Sequence, residues 1–393
     1  MTDWRVSGFT STGSKRPEAL FGGGAGGDAE LPSRMTRAAG ARVWDERGRE
    51  YLDYVMALGA VALGYGHPLV QRAATDALRA GGVGPLPPVE EELLAEALAK
   101  RLPWMERIRF LKTGAEAVAA AVRLARVATG REEVVGCGYH GWLDWCQGRT
   151  EGVPQGTRQV FAELPFNDAQ RAREMIRYRD DRLAAVVVEP VIVAEPSREW
   201  LETLREETRA AGAILIFDEI KTAFRLAIGG AAERYGVLPD LAVIGKALAN
   251  GLPLAAVGGR ADVMAAAART WISSTLATES VSLAAARATL EVFEREAVCA
   301  HLHRIGNRLL HGLHRLHRDH RELLPGVGGV AEMSFFHYVN EDASRAVAAG
   351  CARRGILFKR TAYNFVSLAH TESDVDRTLG VLEEVVREVA HAT

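Results

Sequence analysis

Three stretches of the chain are apolar without interruption and then stop at a charge. Residues 183–189 read LAAVVVE, 213–217 run straight into Asp218-Glu219, and 241–244 run into Gly245-Lys246. Short continuous apolar runs of this kind predict strands covered on both faces, as in parallel sheets. Helical spacing over 200–211 and a helical turn at 231–235 separate them, so strand and helix alternate as in βαβ units. Further strands are expected at 108–111, 134–135, 159–161 and 255–258, with helices over 69–80, 90–102, from the Ala-rich stretch at about 115 to Arg126, and over 168–178. In an open α/β sheet, ligands bind beyond the carboxyl ends of the strands. Glu189, Asp218 and Lys246 are therefore expected in one crevice.

The pattern changes on either side of this region. Residues 1 to about 35 are rich in Gly, Ser and Thr and read as a flexible arm, or as a loop that orders on binding. Residues 41–54, ARVWDERGREYLDY, predict a hairpin around a turn at 45–48, and 56–68 are punctuated by glycine. Helices are expected over 281–296 and 298–318, then short strands at 330–336, 356–358 and 365–368 alternating with helices over 342–354 and 373–390. Thr371, three before Asp374, predicts a capping box for the last helix. The change of rhythm predicts residues 1–55 as an arm and hairpin belonging to a small domain, 56–280 as a large domain, and 281–393 as the rest of the small domain. No internal repeat is visible.

Composition narrows the class. At 393 residues, 48% hydrophobic and 25% charged, the chain is of soluble globular type with room for two domains. A net charge of −2 gives no electrostatic footprint for nucleic acid or an anionic membrane. Cys137, Cys146, Cys299 and Cys351 form neither a CxxC pair nor a metal-ligand spacing, which fits a reducing compartment and a cytoplasmic protein. The first twenty residues lack the apolar segment of a signal peptide, and no apolar run reaches the roughly 18 residues a membrane span needs. Histidines at 301, 303, 311, 314, 317 and 320 mix faces of one predicted helix, so a solvated surface is expected there and no metal site.

Two readings fit an Asp and a Lys at neighbouring strand ends. One is a buried ion pair. The other is a pyridoxal phosphate (PLP) site, in which a Lys bonds the cofactor and an Asp keeps its pyridine nitrogen protonated. Strand 108–111 leads into Lys112-Thr113-Gly114-Ala115-Glu116-Ala117 and a helix, where converging N–H groups and the helix dipole suit a phosphate. Strand 134–135 leads into Cys137-Gly138-Tyr139-His140-Gly141-Trp142, which presents an aromatic ring and an imidazole on a Gly-rich loop.

Taken in order, TGAEA at 113–117, YHGW at 139–142, VVVEP at 186–190, LIFDEI at 215–220, GKALANGLP at 245–253 and SSTLA around Thr275 resemble the class III (subgroup II) aminotransferases of PLP-dependent transferase fold type I, nearest the glutamate semialdehyde aminomutase branch. The resemblance runs from about residue 40 to the end. It implies an α/β fold with a large, mainly parallel sheet domain and a smaller α/β domain made from both ends of the chain. It implies Lys246 as the Schiff-base lysine and proton carrier, and Asp218 as partner of the pyridine nitrogen. It also implies Gly114 and Ala115 at the phosphate, and Tyr139 and Ile220 on opposite faces of the ring. Glu189 is implied near the ring hydroxyl, with His140 as a neighbour, and Thr275 reaching the phosphate of a second subunit in a homodimer. Trp142 and Trp145 either line the substrate pocket or have a structural role. The aminomutases place a Ser and an Arg in an N-terminal loop. Here 21–32 is shortened and has neither, and 359–364, KRTAYN, lacks the family's acid. Lys359 and Arg360 are the cations of that segment, either a substrate contact or a solvated turn. These departures point to amino transfer between two molecules, an amine or amino acid donor and an oxo acid or aldehyde acceptor. The alternatives are intramolecular aminomutase chemistry and a non-catalytic binding protein on the same fold.

Overall fold

The computed structural model describes residues 5–22, 30–149 and 151–392. Its contacts divide the chain into two compact units, Pro68–Cys299, and Met1–His67 together with Ala300–Thr393. The divisions fall after 67 and 299, where the sequence reading has 55 and 280. Helix Ser280–Arg295 lies against helices Pro68–Arg79 and Val89–Arg101, which holds it in the larger unit.

The larger unit is built on a seven-stranded sheet. Its strands run in the order Arg107–Leu111, Ala255–Gly259, Leu241–Ile244, Ile214–Asp218, Leu183–Val188, Glu133–Cys137 and Phe161–Glu163. The last five are parallel to one another, and Ala255–Gly259 is antiparallel to both of its neighbours. Every residue of Leu183–Val188, Ile214–Asp218 and Leu241–Ile244 is buried, which is why these strands read as unbroken apolar runs. The two-residue period of a strand divides them between two cores. Ala185, Val187, Ile214, Ile216, Leu241 and Val243 meet helix Gly114–Thr129 on one face. Val186, Val188, Leu215 and Phe217 meet helices Ala169–Tyr178 and Arg198–Ala211 on the other.

Local signals set the ends of these helices. Thr113 caps Gly114–Thr129 in a reciprocal box with Glu116, and Gly130 ends it in the left-handed conformation, a turn beyond the expected stop at Arg126. The strand expected at 159–161 instead spans Phe161–Glu163, because Phe161 and Ala162 pair with Val134 and Val135; Gln155–Gln159 is a short helix behind Pro154.

Beyond Asp218, the buried Glu219 holds the next turn. Its carboxylate accepts from Thr222 Oγ1 and from the N–H groups of Ala231 and Ala232 at 2.8 Å each, closing the N-terminus of helix Gly230–Tyr235. Burial pushes its pKa up from 4.5 to about 7, against the pull of those three donors. An acid raised in the folded state contributes stability that is fully present below the unfolded value and is lost as pH rises from 4.5 through about 7. A buried N–H left without a partner costs about 1–3 kcal/mol. Glu219→Ala is therefore expected to destabilise this unit by about 3 kcal/mol in urea melts, and a loss below about 0.5 kcal/mol would contradict the role.

In the other unit, hairpin Arg42–Asp45/Glu50–Asp53 carries strand Met35–Ala39 on one edge and the parallel pair Ile356–Leu357 on the other. The single strand expected at 330–336 is a hairpin, Gly326–Val330 with Met333–His337. Its Ala331-Glu332 turn carries none of the Asn-Gly or Asp-Gly signals that mark such turns. The Thr371–Asp374 capping box is present at helix Glu372–Ala392. Histidines of helix Val298–Asp319 serve its packing: His301 bonds the His370 carbonyl, His303 bonds Glu332, and His317 bonds the Leu324 carbonyl. Among the described residues no helix is long and apolar enough to cross a membrane.

Candidate active site

Strand register brings the charged ends level. Val188 pairs with Phe217 and Asp218 with Val243, so Glu189, Asp218 and the Gly245-Lys246 step emerge from three adjacent parallel strands. The next strand, Glu133–Cys137, delivers Gly138-Tyr139-His140-Gly141 to the same end, tied by Glu189 N–H to the Cys137 carbonyl at 2.9 Å.

Asp218 is 4% exposed and is held from two sides. One oxygen accepts from His140 Nδ1 at 2.9 Å and the other from the Ile220 N–H at 3.2 Å. A carboxylate only accepts, so His140 carries its proton on Nδ1. The buried ring of His140 stacks on Trp145 at 6.0 Å between centroids, and its Nε2 has no protein partner. Trp145 is itself buried and meets Phe161 edge-on, so it backs His140 from within the core. Of the two roles open to it, that placement fits the structural one. Trp142, in the same loop, is 70% exposed.

Close backbone approaches shape the rest. A Cβ on Gly114 or on Gly245 would stand 2.9 or 2.8 Å from Ile220 Cδ1, so both glycines make room for that side chain. Gly141 has a φ of +99°, and a Cβ there would stand 2.5 Å from the Ala115 Cβ. The Tyr139–Gly141 loop is thereby laid on the N-terminus of helix Gly114–Thr129. At that helix end, Glu116 accepts from Lys112 N, Thr113 N and Thr113 Oγ1, while its own N–H bonds Thr113 Oγ1. The N–H groups of Gly114 and Ala115 remain for an anion.

Tyr139 is 72% exposed, and its N–H donates to Glu189 Oε1 at 2.6 Å. The other Glu189 oxygen meets Lys221 Nζ at 2.7 Å. Lys246 is a left-handed residue at φ 45°, an uncommon conformation for a side chain of its size and one that collects at functional sites. Burial brings its amine down from 10.5 to about 8, with Lys221 and Arg225 adding to the fall and Glu189 and Asp218 opposing it. A lysine with a depressed pKa is a nucleophile at near-neutral pH.

Three further expected residues are Thr275, Lys359 and Arg360. Thr275 is exposed in the turn ahead of helix Ser280–Arg295, with no hydrogen bond to Asp218, His140, Glu189 or Lys246. Lys359 and Arg360 belong to the other unit. Arg360 reaches Ser344 Oγ, the Glu18 carbonyl and, at 3.5 Å, Glu341, so its guanidinium is engaged within that unit. Lys359 is half-buried, and burial lowers its pKa with Arg360 assisting. Residues 23–29 of the shortened loop at 21–32 lie outside the described residues. The pattern of motifs did not single out Lys221, although it stands three residues after Asp218.

The larger unit thus offers a buried carboxylate pair-bonded to a histidine, a buried amine of low basicity, an aromatic ring on a loop, and a helix N-terminus with open donors. An aromatic aldehyde bearing a ring nitrogen and a phosphate fits that donor set. Such an arrangement on a mostly parallel sheet defines a PLP-dependent transferase of fold type I, and PLP is its cofactor. The pattern of aminotransferase class-III matches residues 24–386, and the chain belongs to that family. It is 38% identical over 400 residues to a glutamate-1-semialdehyde 2,1-aminomutase of Thermomicrobium roseum, covering 92% of each chain. Among solved structures it resembles the PLP internal aldimine form of the FumI protein of Sphingopyxis sp. MTA144, at a TM-score of 0.88 and 29% identity over 95% of this chain and 91% of that one. It also resembles an omega-transaminase of Sphaerobacter thermophilus, at a TM-score of 0.82 and 26% identity over the whole of both chains.

Proposed function

We propose that the protein is an aminotransferase that moves an amino group from an amine or amino acid donor to an oxo acid or aldehyde acceptor. The observation that supports it most is the pairing of a half-buried, weakly basic Lys246 with the His140-braced Asp218 at adjacent strand ends. Bound PLP supplies an aldehyde carbon for amine nitrogens and a ring that accepts electrons. Lys246 Nζ would hold the cofactor through its aldehyde carbon and would serve as the proton carrier at the substrate carbon. Asp218 would hold the proton on the pyridine nitrogen, and His140, backed by Trp145, fixes the carboxylate's direction. The N–H groups of Gly114 and Ala115 take the phosphate. Tyr139 and Ile220 would hold the two faces of the ring, and Glu189 would stand near its hydroxyl.

Transfer between two molecules is favoured over transfer within one by the missing Ser and Arg in 21–32 and the missing acid in 359–364. The identity to the Thermomicrobium aminomutase favours the second reading, a glutamate-1-semialdehyde 2,1-aminomutase. Steady-state assays separate them. Product formation that needs both an amine donor and a carbonyl acceptor supports the aminotransferase, and turnover of glutamate-1-semialdehyde alone overturns it.

The working unit of this reading is a homodimer. Trp271 is 81% exposed and Leu276 54%, flanking Thr275, and Leu78, Val83 and Leu86 are also exposed on the larger unit. Sedimentation equilibrium of the PLP-loaded protein is expected to give twice the 42.6 kDa of the chain, and an active monomer would contradict it. None of the four cysteines is in a disulfide, in keeping with a cytoplasmic setting; recovery of the native protein in a secreted fraction would count against that.

A further inference from the structure

One cation in the crevice has no part in the scheme above. Lys221 is 8% exposed, and its Nζ lies 2.7 Å from Glu189 Oε2. Glu189 Oε1 accepts the Tyr139 N–H, so both oxygens of this carboxylate are occupied. Only six of the chain's 48 basic residues are lysines, and two of the six, Lys221 and Lys246, stand in this crevice.

The charges facing Lys246 come from three strand ends: Glu189, Asp218 with its partner His140, and Lys221 and Arg225 in the turn after Asp218. In a dry site a carboxylate without a counter-ion takes the nearest available amine and holds it as an ammonium. Such an ammonium is no nucleophile. We propose that Lys221 is a positioning residue that claims the Glu189 carboxylate and thereby leaves the Lys246 amine without an acidic partner, free to bond a carbonyl carbon. The proposal rests on the reading that Lys246 is the cofactor-bearing lysine. The same contact steadies the Tyr139 loop, since Glu189 holds Lys221 with one oxygen and the Tyr139 N–H with the other. Lys221 also acts directly on the Lys246 amine, whose pKa of about 8 is set first by burial and lowered further by the neighbouring cation.

The test titrates Lys246 in cofactor-free protein. Reductive methylation with ¹³C-formaldehyde labels a chain of only six lysines, and each methylamine resonance reports its own protonation. In the native sequence the Lys246 midpoint is expected near 8. Lys221→Met is expected to raise it by about one unit or more, so that the unprotonated fraction at pH 8 falls several-fold, and Lys221→Arg to leave it in place. The double variant Glu189→Gln/Lys221→Met removes both charges and is expected to return the midpoint to the native value or below. A Lys221→Met midpoint within about 0.3 unit of native, in protein with native circular dichroism, overturns the proposal. If Lys221→Met does not fold, Lys221→Arg and the double variant still decide, because a midpoint raised in either contradicts the proposal. Borohydride reduction of the PLP-loaded native protein followed by peptide mapping keeps the two readings apart. PLP fixed on Lys246 with an unmoved midpoint sinks only the role of Lys221. PLP fixed on another lysine sinks the assignment on which that role rests.

Discussion

Lys246→Ala protein is expected to fold, to bind PLP, and to lose turnover by at least roughly 10⁴-fold, since the side chain acts as both nucleophile and proton carrier. The fold survives because the change removes a buried amine and keeps the backbone in its place between Leu241–Ile244 and the turn at Lys246–Ala249. PLP stays because Gly114, Ala115, Asp218 and Tyr139 contribute contacts of their own. Stopped-flow kinetics of the donor reaction read the loss, and the cofactor absorbance reads the retained PLP. Residual turnover above about one part in a hundred of native would remove Lys246 from the centre of the chemistry.

Asp218→Asn is the second large effect. The amide keeps the size of the carboxylate and the contact with the Ile220 N–H, but it carries no charge to hold a proton on the pyridine nitrogen. Loss of an electrostatic partner of this kind lowers kcat by roughly 10²–10³-fold. His140 is affected as well, because its Nδ1 proton at 2.9 Å then faces a neutral partner. The prediction is a fall in kcat for the donor half-reaction with a smaller change in KM. A variant within about threefold of native would mean that Asp218 serves only to bury a charge beside His140.

The part of the site that was legible in the sequence is the part written into single strands. An unbroken apolar run that ends in a charge marks both the strand and the direction in which its last residue faces, and this located Glu189, Asp218 and Lys246 together. The Gly-rich loop after 133–137 and the Thr-Gly turn at 113–114 were visible for the same reason. Relations between strands were not. A continuous run such as 255–258 looks the same in either direction, so the antiparallel setting of Ala255–Gly259 emerges only from its ladders with Leu241–Ile244 and Arg107–Leu111. The ion pair of Glu189 with Lys221 joins residues from two strand ends, and no local pattern announces it. Sequence alone leaves Trp145 open between a pocket role and a structural one, because the contact that buries its ring behind His140 is made in three dimensions. The hairpin at 326–337 was read as one strand because its two-residue turn lacks turn-forming residues.

The most direct test of the account is a single turnover with a ¹⁵N-labelled amine donor and no acceptor. The account predicts one equivalent of carbonyl product per active site, the label retained on the protein-bound cofactor, and its release into a second product only when a carbonyl acceptor is added. Repeated conversion of glutamate-1-semialdehyde to 5-aminolevulinate with no second substrate would contradict it.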